Sequence, residues 1–242
     1  MLLAGHWSTK IDWFKRLPFY IVVIMILNSC TVRAPDQVRV SQIVSMLDEN
    51  PIGFGATIND RQTWDLLSQD IRFSTFISQA ESDLKTLIPV LTDSLFFIYS
   101  KTGVRYKYQN PMNKRRSILE TLTLAECLQN DGRYLAAIEN YLRAICSEVT
   151  WVYPAHDKQL DNFYGRKIEI DLSSALTSLR LATVVHLLDD RLSQESRQLV
   201  IDNVSRRVFN PYLNRLKSDK PFGWMTATHN WNAVCHAGVV GS

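Results

Sequence analysis

Two tryptophans, two asparagines and two histidines crowd into one stretch near the C-terminus: Phe222-Gly223-Trp224-Met225-Thr226-Ala227-Thr228-His229-Asn230-Trp231-Asn232-Ala233-Val234-Cys235-His236-Ala237-Gly238. These residue types suit a sugar. An indole packs against a pyranose face, while amides and imidazoles bond hydroxyls and a carboxylate. Trp224, beside Gly223 on an expected loop, is the candidate stacking platform. Trp231 either stacks on a ligand or packs in the core. Asn230 and Asn232 either contact substrate or cap a helix and satisfy loop backbone. His229 is equally open, and His236, on an expected helix, reads as a core or surface residue. A second stretch, Trp151-Val152-Tyr153-Pro154-Ala155-His156-Asp157, puts Trp151, Tyr153 and His156 on a loop after a helix. It lines a cleft or staples the loop to the core, and it falls on the same side as the first stretch if helical hairpins alternate. Tyr106 and Tyr108 admit the same two readings. His229, Cys235 and His236 have no further ligand at zinc spacing, so no metal and no other cofactor is expected. Asp189 and Asp190 are adjacent and cannot stand across a cleft as a glycosidase pair would, so they are read as a solvated turn.

The elements that must position these residues are helical. Apolar residues recur at spacings of three and four, and no segment alternates with period two. Residues 41–47 form a short apolar-periodic piece, broken by Asn50-Pro51-Ile52-Gly53. Residues 58–77 hold a helix or two with Trp64, Leu66, Leu67 and Ile71 inward. Residues 81–99 place Leu84, Leu87, Ile88, Leu91 and Leu95 on one helix face, with a kink or split at Pro89. Residues 115–129 carry Ile118, Leu119, Leu122, Ala125 and Leu128. Asn130-Asp131-Gly132 is a tight turn, and residues 133–149 carry Leu135, Ile138, Leu142 and Ile145. Residues 173–188 place Leu176, Leu179, Leu181, Val184 and Val185 inward. Ser193 is an expected N-cap for a helix over 194–209, with Leu199, Ile201 and Val204 inside and Asn210-Pro211 as its end. Successive hairpins predict an all-α stack, either an open solenoid or a closing α/α toroid.

Composition sets the frame. The chain has 242 residues, 46% hydrophobic and 21% charged, with a net charge of +3. That charge is too small to argue for nucleic acid and is compatible with an acidic polysaccharide. The basic triplet Lys114-Arg115-Arg116 is expected on the solvated side of a helix. Lys10, Lys15 and Arg16 precede an apolar run over residues 17–27, too short for the roughly 20 residues that span a bilayer and suited to a secretory leader. Leu27-Asn28-Ser29-Cys30 then resembles the bacterial lipoprotein cleavage box, which implies lipidation of Cys30, residues 1–30 as signal peptide, and a protein tethered to a bacterial membrane in the periplasm or at the cell surface. Cys127, Cys146 and Cys235 remain. A Cys127–Cys146 disulfide is open to the sequence, and buried thiols are expected.

Asn230-Trp231-Asn232-Ala233-Val234-Cys235 resembles a motif of the heparinase II/III-like polysaccharide lyases. Arg61-Gln62-Thr63-Trp64 is similar to their early Arg-x-x-Trp element, and residues 115–134 to a hairpin that ends at Asn-Asp-Gly-Arg-Tyr. Trp151, residues 176–188 and the Leu192-Ser193 break follow in the same order. The resemblance implies an incomplete α/α toroid over residues 31–242 and β-elimination on a glycan containing uronic acid, of alginate or glycosaminoglycan type. It implies substrate contacts from Asn230, Asn232, His229 and His236, and stacking by Trp224 and Trp231. The family's catalytic tyrosine and histidine are expected beyond Ser242, so the catalytic residues are unknown here and the chain is expected to be truncated. Two competing readings keep the helices and drop the chemistry: a glycan-binding helical lipoprotein and a scaffold for protein partners.

Overall fold

Proline, glycine and acidic N-caps divide this chain into helices. A computed structural model describes residues 36–47 and 53–242, which fall into two units. In the first, α1 (Gln37–Met46) starts where the Asp36 carboxylate accepts from the Val38 and Arg39 amides, and all of its residues are exposed. The leader and Cys30 lie outside the described residues. The second unit, Gly53–Ser242, contains everything that follows.

Its elements are α2 (Arg61–Ser68), α3 (Ile71–Asp83), α4 (Asp93–Phe96), α5 (Ile98–Thr102), α6 (Tyr106–Gln129), α7 (Leu135–Cys146), α8 (Leu172–Leu188), α9 (Gln194–Val204), α10 (Asn210–Leu216) and α11 (Asn230–Val240). No strand forms among the described residues, so the all-α expectation stands. Helix α6 is the hub. It packs on α3, α7 and α8, and α8 in turn packs on α9 and α11.

The α6–α7 hairpin follows its turn chemistry. Asn130 takes φ 53° and Gly132 φ 81°, and the buried Glu126 carboxylate accepts from the Gly132 and Tyr134 amides at 2.8 and 3.1 Å. Arg61 reaches across from α2 to the Cys127 carbonyl at 2.8 Å, one of the oxygens that the end of a helix leaves without a helical donor. Helix α6 begins earlier than residue 115 and carries Pro111 in its second turn.

Several expectations are corrected. Residues 81–99 do not form one helix. The chain leaves α3 at Asp83, turns over residues 84–86, runs without helix past Pro89 and re-enters helix only at the Thr92 cap. Proline has no N–H to give and pushes the residue before it out of the helical region. Leu87 is therefore 89% exposed. Leu66 and Ile71 face solvent because Trp64 takes the inward face of α2 and Ile71 follows directly on the Asp70 cap. Pro211 does not end the 194–209 helix. A π-turn (Ser205–Phe209) lets the Asn210 amide donate to the Ser205 carbonyl, and the chain continues into α10 with proline in the first turn, where no N–H is needed. Ile201 turns outward because Val200, Asn203 and Val204 face the core. On α8 the inward face is Ser174, Ala175, Thr177, Ser178 and Leu181, while Leu176 and Leu179 are only half-buried. These small residues let α11 approach closely: a Cβ on Gly238 would meet the Ala175 carbonyl carbon at 2.7 Å.

Arg115 and Arg116 are buried, not solvated. Arg116 forms a two-pronged pair with Glu148 at 2.8 and 2.7 Å and donates to the Thr177 hydroxyl and the Met112 carbonyl. Arg115 donates to the same carboxylate at 3.1 Å, to the Ala144 carbonyl and to the Pro89 carbonyl. One carboxylate is thus shared by two guanidiniums, and backbone carbonyls and a hydroxyl take four more of their donors. Replacing Glu148→Gln keeps the shape and leaves two buried positive charges uncompensated. We expect a loss of about 3–5 kcal/mol in urea unfolding, since breaking a buried pair costs that much. A loss below about 1 kcal/mol, the worth of an exposed pair, would mean that Glu148 is open to solvent.

Candidate functional site

The two aromatic stretches meet. The His156 ring lies 4.6 Å from the Trp231 indole, centroid to centroid, at 60°, although 75 residues separate them (231 − 156). The loop after α7 brings His156 there. The Trp151 indole N–H donates to the Ile145 carbonyl at 2.9 Å, Tyr153 donates its amide to Asp171 and its hydroxyl to Asn113, and Pro154–His156 forms one 3-10 turn. Phe96, Tyr108 and Phe163 pack beneath this loop, which makes Tyr108 a staple and leaves Tyr106 exposed.

Asp171 organises the site. One oxygen caps α8, accepting from the Ser174 amide at 2.8 Å and the Ser174 hydroxyl at 3.0 Å. The other accepts from the Tyr153 amide at 3.0 Å and meets His156 Nδ1 at 2.6 Å. A neutral His156 that donates its Nδ1–H to this carboxylate carries its lone pair on Nε2. Among the described residues no partner occupies that Nε2, and the side chain is 21% exposed. Of the described histidines, His156 alone is paired with a carboxylate.

His229 is set the opposite way. As N-cap of α11 it accepts the Trp231 amide on Nδ1 at 3.3 Å, so its neutral ring carries the proton on Nε2 as a donor. It lies 6.5 Å from the Trp231 ring. A half-exposed indole is therefore flanked by an imidazole that accepts and one that donates. Asn230, in the first turn of α11, is exposed, and its amide has no partner among the described residues.

The other candidates belong to the fold. Trp224 is buried at 5% exposure between Phe222 and Tyr212, both parallel to it within 7°, and its N–H donates to the Ile170 carbonyl at 2.7 Å. It is no platform, because both faces are covered. Asn232 donates to the Trp224 and Met225 carbonyls at 3.0 and 2.8 Å and holds the 3-10 turn (Gly223–Thr226) against α11. Trp151 is buried at 1% exposure beneath the Arg207 guanidinium. His236 bonds the Asn232 carbonyl and stands edge-on to Trp224. Asp189 and Asp190 are exposed and share the Asn59 amide. Sequence reasoning missed Asp171 and Asn113. The Asp171-Leu172-Ser173-Ser174 capping signal would have pointed to Asp171.

No protein-family model matches the chain, and no curated protein matches it. Among the described residues no group of histidine, cysteine and acidic side chains is arranged to hold a metal, and no helix is long and apolar enough to cross a membrane.

Cys127, Cys146 and Cys235 are free and buried, and burial pushes each thiol up to about 12. At pH 8, four units lower, about one molecule in 10⁴ carries the reactive thiolate at each position. We expect these three to resist a disulfide reagent at pH 8 and to react fully in denaturant, with peptide mass spectrometry locating each one. Rapid native labelling of any of them would contradict the packing described.

Proposed function

We propose that this chain is the helical, α/α-toroid-type part of a polysaccharide lyase resembling the heparinase II/III-like enzymes, and that it seats a uronate-bearing glycan on Trp231 between His156 and His229. The meeting of His156 and Trp231 carries the reading, because it turns two separate aromatic stretches into one surface. The order of the hairpins and the Asn230-Trp231-Asn232 string support the family, and the Leu27-Asn28-Ser29-Cys30 box supports a lipid-anchored protein of the periplasm or cell surface.

The chemistry follows from the two ring states. β-Elimination needs the uronate carboxylate neutralised, so that the C5 proton becomes acidic, and a base to take that proton. The Nε2–H of His229 and the exposed Asn230 amide are donors for the carboxylate, where developing charge is best met by fixed dipoles. The Nε2 lone pair of His156 is the acceptor, and Asp171 holds the ring and stabilises the cation that forms. An acid for the departing glycosidic oxygen is not evident among these side chains, since the nearby Tyr153 hydroxyl is committed to Asn113. That commitment favours a second reading, capture of an acidic glycan without cleavage.

Titration calorimetry with alginate, heparin and chondroitin oligosaccharides tests the surface. Cleavage is read from the ultraviolet absorbance of the new unsaturated uronate. We expect Trp231→Ala to weaken binding about tenfold or more, about 1.4 kcal/mol. His156→Gln should leave binding within a few-fold and abolish any absorbance gain. Binding with no absorbance gain in the native protein selects the capture reading. No binding to any of the three glycans overturns both.

A further inference from the structure

Behind Trp151, the π-turn that carries Arg206 and Arg207 borders a cavity of about 250 Å³. Its charged lining is Lys167, Glu169, Arg206 and Arg207. Lys167 and Glu169 are paired with each other. The two arginines are left without a carboxylate among the described residues. Arg206 donates to the Asn203 side-chain oxygen at 3.0 Å and is exposed. Arg207 donates to the same oxygen and to the carbonyls of Cys146, Glu148 and Val149. Arg207 is pushed down to about 10, first by burial and next by Arg206 beside it. Two adjacent guanidiniums repel, and in a partly desolvated recess that repulsion is poorly screened. An arriving anion would relieve it, and the guanidinium fork matches carboxylate, sulfate and phosphate oxygens.

We propose that this cavity is a binding site for an oxyanion on a small polar ligand, held by the free fork of Arg206, with Arg207 adding its charge and its one uncommitted N–H. The volume lies just below the roughly 300–1,000 Å³ of drug-sized pockets, which fits one acidic ring or a free inorganic oxyanion. The Trp151 indole, on which Arg207 lies at 5.0 Å, is part of its lining. None of the lining residues belongs to the His156–Trp231 surface, so the inference does not depend on the reading above.

The test is an NMR titration of the full chain at low ionic strength, following the arginine Nε–H signals. The probes are sodium glucuronate, inorganic sulfate and inorganic phosphate. Saturable shifts of the Arg206 and Arg207 signals are expected, with at least a tenfold loss of affinity in Arg206→Ala and a smaller loss in Arg206→Lys, which keeps the charge and loses the fork. Arg206 is exposed and makes one side-chain bond, so Arg206→Ala should fold normally, and a matching thermal melt checks this. Tighter binding of glucuronate than of sulfate or phosphate assigns an acidic sugar; equal binding of all three assigns a general oxyanion site. Absence of shifts at both arginines with all three probes, or undiminished affinity in Arg206→Ala, overturns the proposal.

Discussion

Glu148 lies one residue past the Ser147 cap of α7, almost wholly buried, facing Arg115 and Arg116 from α6. Isolated in a low-dielectric interior, any of the three charges would be prohibitive. Together, with the Ala144, Met112 and Pro89 carbonyls and the Thr177 hydroxyl taking four more donors, they lock four segments at one point: α6, the end of α7, α8 and the non-helical strip through Pro89. Arg207 closes the same corner from outside by donating to the carbonyls of Cys146, Glu148 and Val149, where the end of α7 concentrates negative potential. The loop that carries His156 departs from this corner. Its first anchor, the Trp151 N–H on the Ile145 carbonyl, and its last, Asp171 at the start of α8, both sit on elements fixed by the ion cluster.

The aromatic residues divide along a physical line. Trp224 and Trp231 are seven residues apart and close in type, yet only one is free to meet a ligand. Trp224 precedes α11, where the chain must turn back onto α8, and it fills the gap with Phe222 and Tyr212. Trp231 is in the first turn of α11, where it packs against the core on one side, stays partly exposed and meets the rings of His156 and His229. Asn232, one residue further on, faces back and ties down the turn that Trp224 occupies. The Asn-Trp-Asn string therefore divides within a single helical turn: Asn230 and Trp231 stay open, and Asn232 is spent on the fold.

Local chemistry made the α6–α7 hairpin and the Ser193 cap legible, because a turn at Asn130-Asp131-Gly132 and a hydroxyl cap need no information from distant residues. Periodicity failed where a long-range partner decided the outcome. The leucines of 81–99 have helical spacing, but Pro89 and the bond of Arg115 to its carbonyl keep that strip out of a helix. Arg115 and Arg116 looked solvated because their carboxylate lies more than thirty residues away, at Glu148. For the site, the sequence does not reveal which of these side chains stay exposed. Nothing in the neighbours of Trp151, Trp224 or Asn232 indicates that both faces of an indole are covered or that an amide is already spent. The meeting of His156 and Trp231 followed from hairpin alternation, whereas the orientation of the histidine depends on Asp171, which only the capping pattern could reveal.

Asp171 couples stability to the site more tightly than any other side chain there. The same carboxylate caps α8, holds the loop through the Tyr153 amide and fixes the His156 ring. A capping residue alone is worth about 0.5–2 kcal/mol, and the loss of a buried acceptor from two further donors adds to that. A change at Asp171 therefore lowers stability and releases His156 at once, and its effect on binding cannot be assigned to either. Trp231, Asn230 and the Nε2 edge of His156 escape this coupling, because they face outward from a frame held by other residues. The parts of the surface most open to a ligand are those on which the fold depends least, and a ligand's chemistry can change there with Asp171, the buried arginines and Glu148 left as they are.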